Sequence, residues 1–195
     1  MFRRRSIALA GVGIGLTVGI GCVEKPSSAQ AAKELVERGR YLVVFGSCDD
    51  CHSPKVMTPN GPVPDSSRRL SGHPASDPVP PLPVDIGGPG QWGAAAVPDL
   101  TAWVGPWGVS FPANLTPDPT GLEPWTEAQF IQTMRTGRHL GVGRALLPPM
   151  PWFSLNGLTD GDLRAIFAYL RSLPPVSNVV PAPIPPAAAS GAPGT

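Results

Sequence analysis

The sequence predicts an all-α fold of three or more helices, interrupted by one long Pro/Gly-rich insertion. Three observations carry this. Stretches near 31–47 and 158–175 repeat their apolar residues at three- and four-residue spacing, the signature of a helix with one buried face. A shorter stretch at 126–137 carries helix start and stop signals. The segment between the first and third, about 53–112, is dense in proline and glycine and shows no strand alternation.

The bounds agree with a single domain. A chain of 195 residues suggests one domain with appendages. Hydrophobic residues are 42% and charged ones 15%, enough apolar material for a packed core. Gly 23 and Pro 27 together make up about a quarter of the chain, where loop-rich structure is expected. A formal charge of +1, with no lysine- or arginine-rich run outside the extreme N-terminus, excludes nucleic acid as a partner.

In chain order, "MFRRRS" is a positive n-region and "IALAGVGIGLTVGIG" an apolar h-region shorter than the ~20 residues of a membrane-spanning helix. Residues 1–21 therefore read as a signal segment, and the chain as exported. Cys22 follows a small residue, as in a bacterial lipoprotein signal, and is the expected lipidation site. Gly19 stands where such signals usually carry leucine. A cut after Ala31, following "AQA", is the alternative. Either cut removes Arg3, Arg4 and Arg5, and the Cys22 cut leaves a mildly acidic mature chain. Residues 22–32 read as a linker, 33–176 as the domain and 177–195, which lack charge and periodicity, as a disordered tail.

Within the domain, "AAKELVERGRYLVVFGS" forms the first helix, with Leu35, Gly39, Leu42 and Phe45 at helical spacing. Glycine inside a helix costs about 1 kcal/mol relative to alanine, and Gly39 marks close approach of another helix. The insertion carries Trp92, Trp103, Trp107 and Phe111, so the part from about 99 to 113 is expected to pack on the core. Residues 74–91 are expected to stay exposed and mobile. "NLTPDPTGLEPW" is turn chemistry, with Asn114 in a turn rather than at a glycan. Thr126 and Gln129 form a capping box for the next helix, Phe130, Ile131 and Met134 line its apolar face, and Gly137 ends it. Prolines hold "RALLPPMPWF" extended. Thr159 caps the last helix, Leu163, Ile166, Phe167, Leu170 and Leu173 make its buried stripe, and Pro174 stops it.

The chemistry lies in "GSCDDCHSPK", residues 46–55. A thioredoxin-like pair needs a βαβ context that is missing here. Zinc needs about four ligands, and only His73 and His139 remain to supply them, without ligand-like spacing. A disulfide across two residues closes a strained ring. Cys-x-x-Cys-His is instead the sequence signal of c-type haem attachment. Cys48 and Cys51 would carry thioethers to one haem c, and His52 would be the proximal axial ligand of its iron. Export supports this, because such motifs are matured outside the cytoplasm.

A second axial ligand must come from elsewhere. Met57 is too close in sequence to His52 to reach the other haem face. Met134 lies on a helix face where methionine usually packs in the core. Met150 sits in the stiff "LLPPMPWF" loop, which can aim a side chain, and is the expected ligand. His139 is its rival.

Taken together, the stretches "GRYLVVFGSCDDCH", "NLTPDPTGLEPWTEAQFIQTMRTG", "LLPPMPW" and "LTDGDLRAIFAYLRSLPP" resemble the bacterial monohaem cytochrome c domain family. The nearest branch comprises cytochrome subunits and small lipoprotein cytochromes beside periplasmic dehydrogenases. The likeness covers roughly 33–57 and 111–176. It implies a cytochrome c-like fold around one haem, a crossing of the first and last helices at Gly39 and Tyr169, and a Met-Pro loop at Met150 and Pro151. The insertion departs from the family pattern.

The resemblance further implies an electron carrier rather than an enzyme, or a subunit of an oxidoreductase complex. The haem would cycle Fe(III)/Fe(II) in the periplasm between a dehydrogenase-type donor and a respiratory acceptor, such as an oxidase or another cytochrome. The lipidated N-terminus would attach the chain to the membrane; simple cleavage would leave it soluble in the periplasm. Two competing readings are a peroxidase-like haem enzyme, which needs an open iron position beside acid-base groups, and a haem-based sensor.

Overall fold

Ser27 is the N-cap of the first helix, its hydroxyl accepting from the Gln30 amide at 3.2 Å. The computed structural model describes residues 27–81, 86 and 90–186. Residues 1–21, the expected signal segment, Cys22 and residues 187–195 lie outside the described residues.

Helix α1 spans Ser28–Phe45, starting three residues earlier than its apolar spacing suggests because Ser27 provides a cap. It packs on α5, Asp160–Arg171, capped by Thr159. The expected stripe of α5 is buried at Leu163, Ile166, Phe167 and Leu170, with Leu173 partly buried. Ala165 and Tyr169 are buried too, because they form the side that meets α1. Arg38 and Asp162 bridge the two helices at 2.9 Å.

Helix α3, Glu127–Thr136, has the complete capping box of Thr126 and Gln129. It ends at Gly137, whose φ of 64° is a left-handed conformation that suits glycine. A Cβ there would also meet the Trp152 ring. Phe130 and Met134 of α3 join Leu42, Leu163 and Phe167 in one apolar core. Burying one such side chain contributes roughly 1.5–3 kcal/mol.

The all-α expectation is corrected by the insertion. It contains two antiparallel sheets among the described residues. Strand β1, Lys55–Thr58, pairs with β2, Gly61–Pro64. Strands β3, Ala95–Ala96, β4, Trp103–Gly105, and β5, Gly108–Ser110, pair in that order. These strands are two to four residues long, too short for alternation to register in a sequence. The "VGPWGV" stretch does carry a hairpin signal. Gly105 pairs with Gly108 across Pro106 and Trp107, and the Gly108 φ of 91° closes the turn.

Residues 177–186, the described part of the expected disordered tail, make specific contacts. Ile184 pairs with Val109 on the outer edge of β5, through bonds of 2.8 and 3.0 Å. The Asn178 amide donates to the carbonyls of Ser71 at 2.7 Å and His73 at 2.8 Å. An aperiodic segment lacks a buried face of its own, yet its backbone and one amide side chain still find partners on an open strand edge and loop.

The stretch expected to pack does so: Thr101, Ala102 and Gly108–Ser110 are buried, whereas Trp92 is exposed. Of the segment expected to be open from residue 74, residues 75–78 are exposed, but Pro74 is buried and Val79 half-buried. No helix among the described residues is long and apolar enough to cross a membrane.

Candidate haem site

Ser47 breaks the chain between α1 and the motif. Its φ of 53° is left-handed, so α2, Cys48–His52, restarts in a new direction rather than continuing α1. On this single turn, Cys48, Cys51 and His52 stand at i, i+3 and i+4, the spacing that groups side chains on one face. Lys55 holds the C-terminal end, its ammonium donating to the carbonyls of Asp49, Asp50 and Ser53. A cation at that end also complements the helix carbonyls.

His52 is buried, and its Nδ1 lies 2.8 Å from the carbonyl of Ala113. A carbonyl only accepts, so Nδ1 carries the proton and Nε2 keeps its lone pair. Burial pushes the imidazole pKa below its ordinary value, with the Ala113 bond opposing. The result is a neutral ring with one oriented donor nitrogen, as a metal ligand requires. The His52 backbone carbonyl is also used, accepting from the Gly72 amide at 2.8 Å.

Cys48 and Cys51 are both free thiols. Burial, and then the neighbouring Asp49, push the Cys48 thiol up to about 11. Burial and then Asp50 raise that of Cys51. A thioredoxin-like cysteine is activated by a lowered pKa, whereas burial acts in the opposite direction on both thiols here. A strained two-residue disulfide is likewise not formed.

The remaining histidines are engaged elsewhere. His73 is 2% exposed and packs against Phe111 at a tilt of 35°, with ring centroids 4.9 Å apart. Its Nδ1 lies 2.9 Å from the Thr101 hydroxyl, which itself donates to Asp99. His139, in a 3-10 turn spanning His139–Gly141, packs edge-on against Trp125 at 5.0 Å.

The three methionines after the motif differ in their surroundings. Met134 is buried in the core of α3. Met57, on β1, is 74% exposed. Met150 is partly buried against the core, in a loop leading into α4, Trp152–Leu155. That loop is held from the insertion: Ser110 of β5 donates its hydroxyl to the Pro148 carbonyl at 2.5 Å. Trp103 of β4 is held within the insertion, its indole N–H donating to the Leu100 carbonyl at 2.7 Å.

Sequence reasoning missed the polar groups behind the motif. Asp49, between the two cysteines, receives a two-pronged contact from Arg69, which also donates to the Tyr169 hydroxyl on α5. Ser53 adds its hydroxyl to Asp49 at 2.7 Å. Only the position of Asp49 inside the motif could have signalled this, since Arg69 and Tyr169 are distant in sequence.

Two free thiols and a neutral, oriented imidazole on one helical turn fit a covalently attached haem. No protein-family model matches the chain. It is 29% identical over 164 residues to a nicotinate dehydrogenase subunit of Pseudomonas putida, covering 84% of this chain and 11% of that protein. Over 149 residues it is 27% identical to the fructose dehydrogenase cytochrome subunit of Gluconobacter japonicus, covering 76% of this chain and 23% of that protein. Over 151 residues it is 29% identical to the gluconate 2-dehydrogenase cytochrome c subunit of Pantoea cypripedii, covering 76% and 26%. The chain thus spans between about a tenth and about a quarter of the length of these relatives, and it resembles cytochrome c subunits of dehydrogenases.

Proposed function

We propose that this chain is a monohaem cytochrome c domain that carries single electrons for a dehydrogenase-type donor. The observation that supports it most is the His52 Nδ1–H bond to Ala113, which presents Nε2 from the same turn that carries two unpaired cysteines. The similarity to cytochrome subunits of dehydrogenases points the same way. When bound, haem c supplies a one-electron Fe(III)/Fe(II) couple.

In this reading Cys48 and Cys51 would hold the haem by thioethers, and His52 would ligate its iron. Met150 would be the other ligand: its loop is anchored at Pro148 by Ser110, while Met134 is committed to the core. Sulfur ligation on one side favours the reduced state. The chain itself breaks no substrate bond; it orients the ligands and keeps water from them. Lipidation of Cys22 and attachment in the periplasm complete the proposal, with a respiratory acceptor as the second partner. Contact with either partner should be small and transient, below ~1,200 Å².

The test is expression of the full chain with a haem-maturation system. Haem should remain on the polypeptide after acid-acetone extraction, and Cys48→Ser with Cys51→Ser should abolish it. Extractable haem in a matured sample overturns the reading. Carbon monoxide binding by the ferrous native protein would favour a peroxidase-like enzyme instead.

A further inference from the structure

Behind the motif lies a charge arrangement that the proposed function does not by itself require. Arg69 faces Asp49 as a fork: Nε donates to one carboxylate oxygen at 2.9 Å and Nη2 to the other at 2.5 Å. Its third nitrogen, Nη1, donates to the Tyr169 hydroxyl at 2.6 Å. Asp49 is the residue after Cys48 and one turn before His52, so its carboxylate moves with the helix that bears all three expected haem-binding side chains.

The pair is shielded and braced. The Asp49 side chain is 18% exposed and that of Arg69 31%. Ser53 donates to the same carboxylate and accepts from the Leu70 amide at 2.8 Å, so the residue next to Arg69 is pinned to the residue after His52. Leu70 itself is fully buried with a left-handed φ of 60°, a backbone state held by the surrounding contacts. The fork therefore sits in one place relative to α2, held by α5 through Tyr169 on the other side. The other charges facing this turn are Asp50 and Lys55.

We propose that Arg69 is a positioning residue whose two-pronged contact with Asp49 both fixes the motif helix and sets the redox potential of the haem it carries. This rests on the haem c reading above. Oxidation adds one positive charge at the iron, so a nearby cation opposes it and a nearby anion favours it. In a partly buried setting these effects are screened less than at the surface. Arg69 and Asp49 offset one another; removing either leaves the other uncompensated on the motif helix. Lysine would keep the charge but lose the planar fork.

The experiment is spectroelectrochemical titration of the haem-loaded full chain, with melting temperatures measured alongside. Arg69→Gln should shift the midpoint potential down and Asp49→Asn should shift it up. The double variant should return toward the unsubstituted value. Arg69→Lys should keep nearly the original potential while lowering the melting temperature. Shifts of the same sign in the two single variants, or lowered melting temperatures with unmoved potentials, would make the fork a structural brace only and overturn the proposal. Should Arg69→Gln fail to fold, Asp49→Asn and Arg69→Lys decide it: an unmoved potential for Asp49→Asn, or a large downward shift for Arg69→Lys, overturns it. An unsubstituted chain that binds no covalent haem overturns the haem reading and this inference together. A haem-loaded chain whose potentials ignore both charges overturns this inference alone.

Discussion

Gly39 on α1 and Tyr169 on α5 meet backbone to side chain: a Cβ at position 39 would stand 2.7 Å from the Tyr169 Cβ and would overlap the Ala165 carbonyl. The two helices cross here because one of them has no side chain.

Gly39→Ala should therefore destabilise the protein even though alanine is the better helix former. The propensity gain is about 1 kcal/mol, and overpacking costs about 1–3 kcal/mol. Backbone of α5 is the obstacle, so it cannot swing aside like a flexible side chain, and the clash wins. Urea unfolding should show a lower midpoint. An unchanged or higher midpoint would mean that the crossing is loose.

Met150→Ala in the haem-loaded protein should abolish the weak near-infrared sulfur-to-iron band of the ferric form and lower the potential. Ser110→Ala removes the hydroxyl that holds the Pro148 carbonyl, a bond contributing about 1 kcal/mol, and should weaken that band without abolishing it. If His139→Ala removed the band's counterpart in the spectrum and Met150→Ala did nothing, the ligand would be His139.

Asp162 reports on acid stability. Its carboxylate accepts from the Thr159 hydroxyl and pairs with Arg38, and these contacts hold its pKa below the ordinary carboxylate value. A lowered folded-state pKa means stability that is present above the unfolded value, about 4, and lost as pH falls through the folded value. Asp162→Asn should thus be less stable than the parent at pH 7. The gap should close as the pH drops below about 4. A gap that stays constant in chemical denaturation down to pH 2.5, roughly a unit and a half below that value, would rule out this ionic contribution.

Asn178→Ala should lower the melting temperature, because the Ser71 and His73 carbonyls lose their amide donor. A partner removed from a buried acceptor costs about 1–3 kcal/mol. The loop so loosened also supplies the Gly72 amide that binds the His52 carbonyl. The loss should accordingly appear in a haem-loaded sample as well. No change in melting would show that residues 177–186 merely lie alongside.

Whatever depends on neighbours along the chain could be read before folding. Helical period, the Ser/Thr caps and the Gly137 stop are local, so α3 and α5 were legible almost residue by residue. The grouping of Cys48, Cys51 and His52 on one turn was legible for the same reason: it is a spacing along the chain. Tertiary structure decided what depends on distant partners. The carbonyl that orients His52 lies 61 residues away. Arg69 is 20 residues from Asp49 and 100 from Tyr169. No local pattern encodes such pairs, because each end is an ordinary polar residue or a backbone carbonyl until the fold joins them. Short strands make the same point, since two to four residues paired only by backbone leave almost no imprint on side-chain choice, and an all-α reading of the sequence became a helical domain with two small sheets once the chain closed on itself.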